Sequence, residues 1–213
     1  MQAVFNSLLD GNSSCLGGTR WWLGINSPAI PGTVSLFDTV AHELGHGLGF
    51  ATFVDSDGRR ISNGLSSFND VYMLNLFDLD QNRAWADMSD AQRAASSINT
   101  GRVIWSGANV ASNAEVFTGG RSNGSLRVYA PNPYESGSSI SHWDTTLSPD
   151  ELMEPFATRV FNACATILAL KDMGWRTKNE CIDSNGRPVF IPCLLYTSPS
   201  PRDATLSRMP SSA

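Results

Sequence analysis

Three residues within the stretch 40–50 have the types and the spacing of a metal site. His42 and His46 are four residues apart, so on a helix their imidazoles lie one turn apart on the same face and can reach one cation. Glu43 would be rotated by about 100° from His42, beside the metal without having to bind it. This H-E-x-x-H pattern is typical of a zinc ion held by two histidines, with the glutamate as the base that takes a proton from water. The alternative is a buried amphipathic helix whose histidines are only hydrogen-bonded.

A catalytic zinc site needs a third protein ligand and one open position. In the simplest extended form of the motif, a histidine would stand at position 52, but this chain has Thr52, a poor zinc ligand. The only histidine left is His142, so the composition allows one three-histidine site. An acidic third ligand is the alternative, and Asp70 follows His46 at a tolerable distance.

Three motifs occur in a fixed order along the chain: HELGHGLGF at 42–50, SHWD at 141–144 and ELMEP at 151–155. In this order they resemble the leishmanolysin-like metzincins, zinc metallopeptidases in which an insertion separates the second histidine from a distant third one, followed by a methionine turn. The resemblance covers roughly residues 19–175. It implies His142 as the third ligand and Met153 as the residue under the metal. With Asp70 instead, the ligand set would be of the aspzincin type.

The resemblance implies a secreted zinc metalloendopeptidase, from a bacterial source, that acts on protein or peptide substrates with one catalytic zinc. Glu43 would be its catalytic residue. One alternative is a non-catalytic zinc-binding relative or a cell-surface binding module, and another is a hydrolase of non-peptide amides. The presence of Glu43 disfavours the non-catalytic alternative, because a purely structural metal site does not need a base beside a ligand.

Composition excludes several other function classes. The chain has 213 residues, is 41% hydrophobic and 16% charged, and carries a net charge of −5 without a basic run. Nucleic acid and anionic membranes are therefore not expected as partners. The sequence contains no stretch of about 18 apolar residues, so no transmembrane segment is predicted. The four cysteines, Cys15, Cys164, Cys181 and Cys193, allow three complete disulfide pairings that the sequence does not separate.

Local signals place the metal motif on a helix. Ser35 is a fair N-cap with Asp38 in the first turn, and Gly49 is a natural stop. Leu36, Val40, Leu44 and Leu48 follow at helical spacing. Two glycines inside this helix, Gly45 and Gly47, weaken it and indicate either a close approach of another backbone or support from packing. Further strands and helices are predicted at 19–25, 89–98, 102–105, 126–129 and 163–173.

The predicted fold class is α+β. By resemblance it is metzincin-like, with a mixed β-sheet and the active-site helix, followed by an irregular C-terminal subdomain with the methionine turn and a final helix. The catalytic domain would span residues 1–178, as a fragment that lacks part of its N-terminal half, with an insertion at about 55–140. Residues 179–213 would be a tail whose last 20 or so residues are non-native or disordered. The turn Asp55–Gly58 resembles the start of a calcium loop, but the later ligands are missing, so calcium is a minor alternative.

Overall fold

The computed structural model describes residues 5, 7–10, 12–24, 30–60, 68–157 and 162–177. Within these ranges, α-helices and short strands alternate with 3₁₀ turns and long loops, which confirms the predicted α+β class. The helices are α1 (Leu36–Gly47), α2 (Asp90–Ser96), α3 (Ala108–Asn113) and α4 (Cys164–Asp172). The strands are β1 (Arg20–Trp22), β2 (Thr33–Ser35), β3 (Leu76–Asp78), β4 (Arg83–Ala84), β5 (Val103–Trp105), β6 (Arg121–Ser122) and β7 (Ser125–Leu126). None of these helices has both the length and the apolar character needed to cross a bilayer. The predicted tail from residue 179 lies outside the described residues.

The strands form small, separate sheets. β1 and β2 pair in parallel, with Trp21 opposite Val34. β3 lies between β4 and β5 in antiparallel pairings, with Phe77 opposite both Ala84 and Ile104. β6 and β7 form an antiparallel hairpin. The resemblance implied a mixed sheet, whereas in the described part of the chain the parallel and antiparallel pairs belong to different sheets.

Helix α1, which carries the first two predicted ligands, starts and stops at the predicted signals. The Ser35 side chain accepts a hydrogen bond from the Asp38 N–H at 3.1 Å, a cap that stabilises a helix by about 1 kcal/mol. Beyond the helix, Gly49 has a φ of 103°, a conformation that favours glycine. Leu44 and Leu48 are 44% and 37% exposed. The apolar stripe predicted from their spacing is therefore not buried along its whole length against the rest of the protein.

An aromatic cluster forms the part of the core that adjoins the ligand-bearing segments. Phe50, Tyr72, Trp105 and Trp143 are all fully buried. The Phe50 ring lies 5.1 Å from the rings of both Tyr72 and Trp143, and Trp105 lies 5.6 Å from Trp143. Each buried aromatic side chain contributes roughly 1.5–3 kcal/mol, and a paired ring about 0.5–1.5 kcal/mol more. The cluster therefore fixes the chain just beyond α1 against β5 and against the residue that follows His142.

Hydrogen bonds at and near α2 hold the middle of the chain together. Ser89 and Gln92 form a capping box at the start of α2, which confirms the predicted helix start there. Arg93 is 1% exposed and donates hydrogen bonds to the carbonyls of Gly58 and Trp85. These contacts hold the turn after α1 against α2.

Helix α4 closes the described chain. It lies within the predicted range 163–173. The Asn162 side chain accepts a hydrogen bond from the Cys164 N–H at 3.1 Å, and Gly174 follows the helix with a φ of 95°. Cys164 is disulfide-bonded. The helix is therefore anchored at its first residue.

Candidate metal centre

The three histidines of the chain converge on one point. Nε2 of His42 lies 3.1 Å from Nε2 of His46 and 3.2 Å from Nε2 of His142. The ring centres of His46 and His142 are 4.8 Å apart, with the planes at 81°. His142 is 4% exposed, and the other two rings are half-buried. The three imidazoles are thus close enough to bind one metal ion.

The other nitrogen of each ring is bound to the main chain. Each Nδ1 lies 2.8 Å from a carbonyl oxygen, and the pairs are His42 with Leu152, His46 with Phe50, and His142 with Ser138. A carbonyl oxygen only accepts, so each Nδ1 carries the hydrogen and each Nε2 presents a lone pair. The Nε2 atom of His42 lies only 3.1–3.2 Å from those of the other two rings, so their lone pairs repel each other unless a positive charge lies among them. The geometry favours a preset cation site over a cluster of histidines that merely bond to one another.

Burial keeps at least two of these rings uncharged. It lowers the pKa of His142 to about 3, although the hydrogen bond to Ser138 opposes the shift. The pKa of His46 is also lowered, again by burial, and the Phe50 carbonyl opposes this. Metal ligands must be neutral imidazoles, so both residues are in the binding form at neutral pH without releasing a proton.

His142 lies 100 residues after His42 in the sequence, and the segment that carries it packs beside the end of α1. The Thr52 N–H, just beyond the helix, donates to the Ser141 hydroxyl at 3.2 Å. On the other side, the Trp143 N–H donates to the Met153 carbonyl at 2.9 Å. Position 52, where the shorter motif would place its third histidine, therefore lies beside the segment that carries the distant one.

Met153 packs directly against the middle of α1. The residue is fully buried, and a Cβ placed on Gly45 would lie 2.5 Å from its Sδ atom. At this distance a side chain at position 45 would force Met153 to move, so glycine permits the contact as it stands. The close approach predicted for the two glycines is therefore found at Gly45, whereas Gly47 is exposed. Since the neighbouring Leu152 carbonyl holds His42, the turn 151–154 meets α1 at two points.

Glu43 stands on α1 next to the first ligand, and its side chain is exposed. Burial lowers the pKa of His46, and the negative charge of Glu43 partly opposes this, so the carboxylate lies within electrostatic reach of the histidine group. No hydrogen bond or ion pair engages this carboxylate elsewhere in the described ranges. A carboxylate so placed can accept a proton from a molecule bound at the three imidazoles.

The structure does not bring Asp70, the alternative third ligand, to the histidines. Its Oδ2 accepts hydrogen bonds from the Thr52 hydroxyl and the Phe53 N–H, both at 2.9 Å. Its Oδ1 accepts one from the Met73 N–H at 2.7 Å. Both oxygens therefore hold the backbone that follows α1. Of the residues that the structure describes, only the three histidines form a metal-sized group of three or more.

The turn Asp55–Gly58 does not gather a calcium site. Asp55 Oδ1 accepts hydrogen bonds from the N–H groups of Asp57 and Arg59 at 2.9 Å, and the Asp57 carboxylate pairs with Arg59 at 3.4 Å. These are the contacts of a closed turn. No third metal-binding side chain joins them within the ranges described, so the minor calcium alternative gains no support.

A cavity of about 180 Å³ opens beside His42. It lies between the first half of α1, which contributes Asp38, and the segment after Met153, which contributes Glu154 and Pro155. A ligand bound there would lie next to the histidine group.

Sequence reasoning missed Glu151 and the three carbonyl partners. Glu151 is fully buried and accepts hydrogen bonds from the Ala165 N–H at 2.6 Å and the Thr166 hydroxyl at 2.8 Å. It ties the turn 151–154 to the start of α4. Burial raises the pKa of Glu151 to about 8, although these hydrogen bonds lower it. Nothing around Glu151 in the sequence marks it as buried, since Asp150 and Glu154 are close by, and carbonyl partners leave no signal because every residue has a carbonyl.

No family model, curated protein or solved structure matches this chain. Functional inference therefore starts from the histidine group, Glu43 and the turn 151–154.

Proposed function

We propose that this chain is a zinc-dependent endopeptidase in which His42, His46 and His142 hold the metal and Glu43 is the base. The observation that carries the proposal is the convergence of three Nε2 lone pairs with spacings of 3.1 and 3.2 Å. Two nitrogens at 2.0–2.1 Å from one tetrahedral zinc lie about 3.3–3.4 Å apart, within a few tenths of an ångström of these spacings. Imidazole suits zinc better than it suits calcium or magnesium, which prefer oxygen. Three protein ligands rather than four are typical of catalytic zinc.

The residues of the chain have separate tasks in this mechanism. Zinc, when bound by three neutral ligands, lowers the pKa of water at its open position and polarises a carbonyl group. The main-chain carbonyls fix the ring orientations of the ligands, which keeps each Nε2 aimed at the site. Glu43 accepts one proton from the water as the water attacks the peptide carbonyl, and it then donates this proton to the leaving amine. One unengaged carboxylate is therefore sufficient for both transfers.

We also place the chain with the leishmanolysin-like metzincins and expect it to be secreted. The order of the three motifs is the basis for this. Two contacts support it: Met153 of the ELMEP motif lies against Gly45 of the ligand helix, and the Leu152 carbonyl orients His42. The proposed catalytic domain keeps the bounds 1–178, with an insertion at about 55–140.

Cleavage of an unfolded protein such as casein, measured together with zinc content, tests the proposal. Glu43→Gln keeps the size of the side chain but removes its basicity, so turnover should fall by about 10²–10⁴-fold while zinc is retained. Glu115→Gln is the matched control. Glu115 is exposed, pairs with Arg121 at 2.7 Å and should be dispensable for cleavage.

Unchanged turnover in Glu43→Gln would refute the role of the base. Zinc binding without any cleavage by the wild type would favour the non-catalytic alternative. Hydrolysis of small amides, but not of casein, would indicate the hydrolase of non-peptide amides.

A further inference from the structure

The cavity beside His42 has walls of two kinds. Its apolar lining comes from Val34, Leu152, Pro155 and Ala157. Its charged lining comes from two carboxylates, Asp38 on α1 and Glu154 on the segment after Met153. The occupant that such walls favour is apolar along its length and positively charged at its end.

Neither carboxylate has a positively charged partner in the described part of the chain. Glu154 is 6% exposed, and its Oε1 accepts a hydrogen bond from the Glu151 N–H at 2.8 Å. No described residue donates to its Oε2, and Glu154 is one of the residues that line the cavity. Burial raises the pKa of Glu154 to about 7 and also raises the pKa of Asp38. Carboxylates desolvated without a counter-ion are unfavourable, and an entering cation would relieve this.

We propose that this cavity binds the lysine or arginine side chain of a substrate residue next to the scissile bond. The inference rests on the proposed function, since it assumes that a peptide lies across the histidine group. Lysine and arginine have an apolar stem and a charged head, which match the two kinds of wall. Because His42 lines the cavity and also belongs to the histidine group, a residue seated there adjoins the reacting bond.

Other occupants match the walls less well. A second metal ion lacks ligands, because Asp38 and Glu154 belong to no group of three metal-binding side chains within the described residues. A neutral side chain would leave both carboxylates unpaired, and an acidic one would add repulsion. A volume of about 180 Å³ accommodates one long side chain rather than a folded partner.

The test compares two nearly isosteric probes, acetyl-arginine amide and acetyl-citrulline amide, which differ in charge. Binding is measured by NMR titration of the full chain carrying Glu43→Gln, with and without zinc, so that no turnover is needed. The arginine probe should bind about 10–100-fold more tightly, the range for a hydrogen bond to a charged group. Adding Asp38→Asn or Glu154→Gln should reduce this ratio to roughly threefold or less.

Two exposed acids away from the cavity supply matched controls. Asp87→Asn and Glu115→Gln should leave the preference for arginine unchanged. The citrulline probe should bind equally to all variants, which shows that each variant has kept its fold.

Equal binding of the two probes to the Glu43→Gln chain would overturn the inference. A preference unchanged by both Asp38→Asn and Glu154→Gln would overturn it too. A clear preference for arginine in a chain whose wild type cleaves no protein would refute the proposed function but support the cation-binding pocket.

Discussion

At the scale of single residues, the candidate centre depends on which ring nitrogen carries the hydrogen. Three main-chain carbonyls, each 2.8 Å from an Nδ1 atom, assign the tautomer of His42, His46 and His142. The lone pairs that remain all face the same point. Orientation by a hydrogen bond on the second ring nitrogen also raises the basicity of a metal-binding imidazole.

Acid should weaken the metal-free fold through His142. Its pKa is about 3 in the folded chain and about 6.5 when unfolded, so the unfolded state binds more protons between these values. This contribution to stability is fully present above pH 6.5 and is lost as the pH falls towards 3. Urea unfolding of chelator-treated protein from pH 7.5 to pH 4.5 measures it.

The matched comparison is His142→Gln, which cannot titrate. Its free energy of unfolding should decline less than that of the wild type over the same pH range. Equal slopes for the two proteins would contradict the prediction, because other acidic groups contribute to both proteins alike.

At the scale of secondary structure, the turn 151–154 links the ligand helix to α4. Its Leu152 carbonyl holds His42, Met153 packs on Gly45, and Glu151 accepts hydrogen bonds at the start of α4. A substitution in this turn should therefore affect both the position of the metal-binding histidines and the stability of the core.

Gly45→Ala should destabilise the protein although alanine favours helices. The added methyl group would meet Met153 Sδ at 2.5 Å, and overpacking of this kind costs about 1–3 kcal/mol, against a gain in helix propensity of up to about 1 kcal/mol. Gly47→Ala, at an exposed position of the same helix, should be neutral or stabilising. Urea unfolding of both variants measures this difference.

A double variant identifies the cause of the loss. If the clash is with Met153, then Gly45→Ala combined with Met153→Ala should be less destabilised than the sum of the two single changes. Strict additivity, or a Gly45→Ala protein as stable as Gly47→Ala, would contradict the proposed contact.

The wild type should lose stability at alkaline pH as Glu151 ionises, and Glu151→Gln should prevent this loss. The pKa of Glu151 is raised from about 4.5 to about 8, so the folded state binds more protons in this range. Its contribution is fully present below pH 4.5 and is lost as the pH rises through 8. Glutamine keeps the acceptor and gains a donor towards the Thr166 hydroxyl. Above pH 8 the variant should be more stable than the wild type, by an amount on the order of a few kcal/mol.

Unfolding experiments at pH 5 and pH 9, with Glu115→Gln as the control, check this prediction. A variant less stable than the wild type at both pH values would show that the glutamate acts as a charged helix cap instead.

At the scale of the whole molecule, the sequence predicted what short-range signals determine. Ser35, Gly49 and the spacing of His42 and His46 fixed the limits of α1 and the face it presents. Gly45 and Gly47 indicated a close neighbour without saying which residue it would be, and the structure has it at Gly45, whereas Gly47 is exposed. Such signals are local, because helix caps and periodicity act within a few residues.

The remainder depends on contacts between distant parts of the chain. The exposure of Leu44 and Leu48 does not follow from their helical spacing, since that spacing does not say which neighbours cover a face. The division into separate sheets does not follow from the sequence either, because the pairing of strands joins distant segments. The contacts of Asp70 with the backbone after α1 could not be read from its position in the sequence.

The central claim is that one zinc binds across the whole fold, to two histidines of α1 and a third from a segment 100 residues away. The most direct test is the zinc stoichiometry and affinity of the purified wild type, His142→Ala and Asp70→Asn. We predict close to one zinc per chain in the wild type, an affinity at least about 10²-fold lower in His142→Ala, and an unchanged affinity in Asp70→Asn. Full zinc retention by His142→Ala, with loss in Asp70→Asn, would contradict the three-histidine centre.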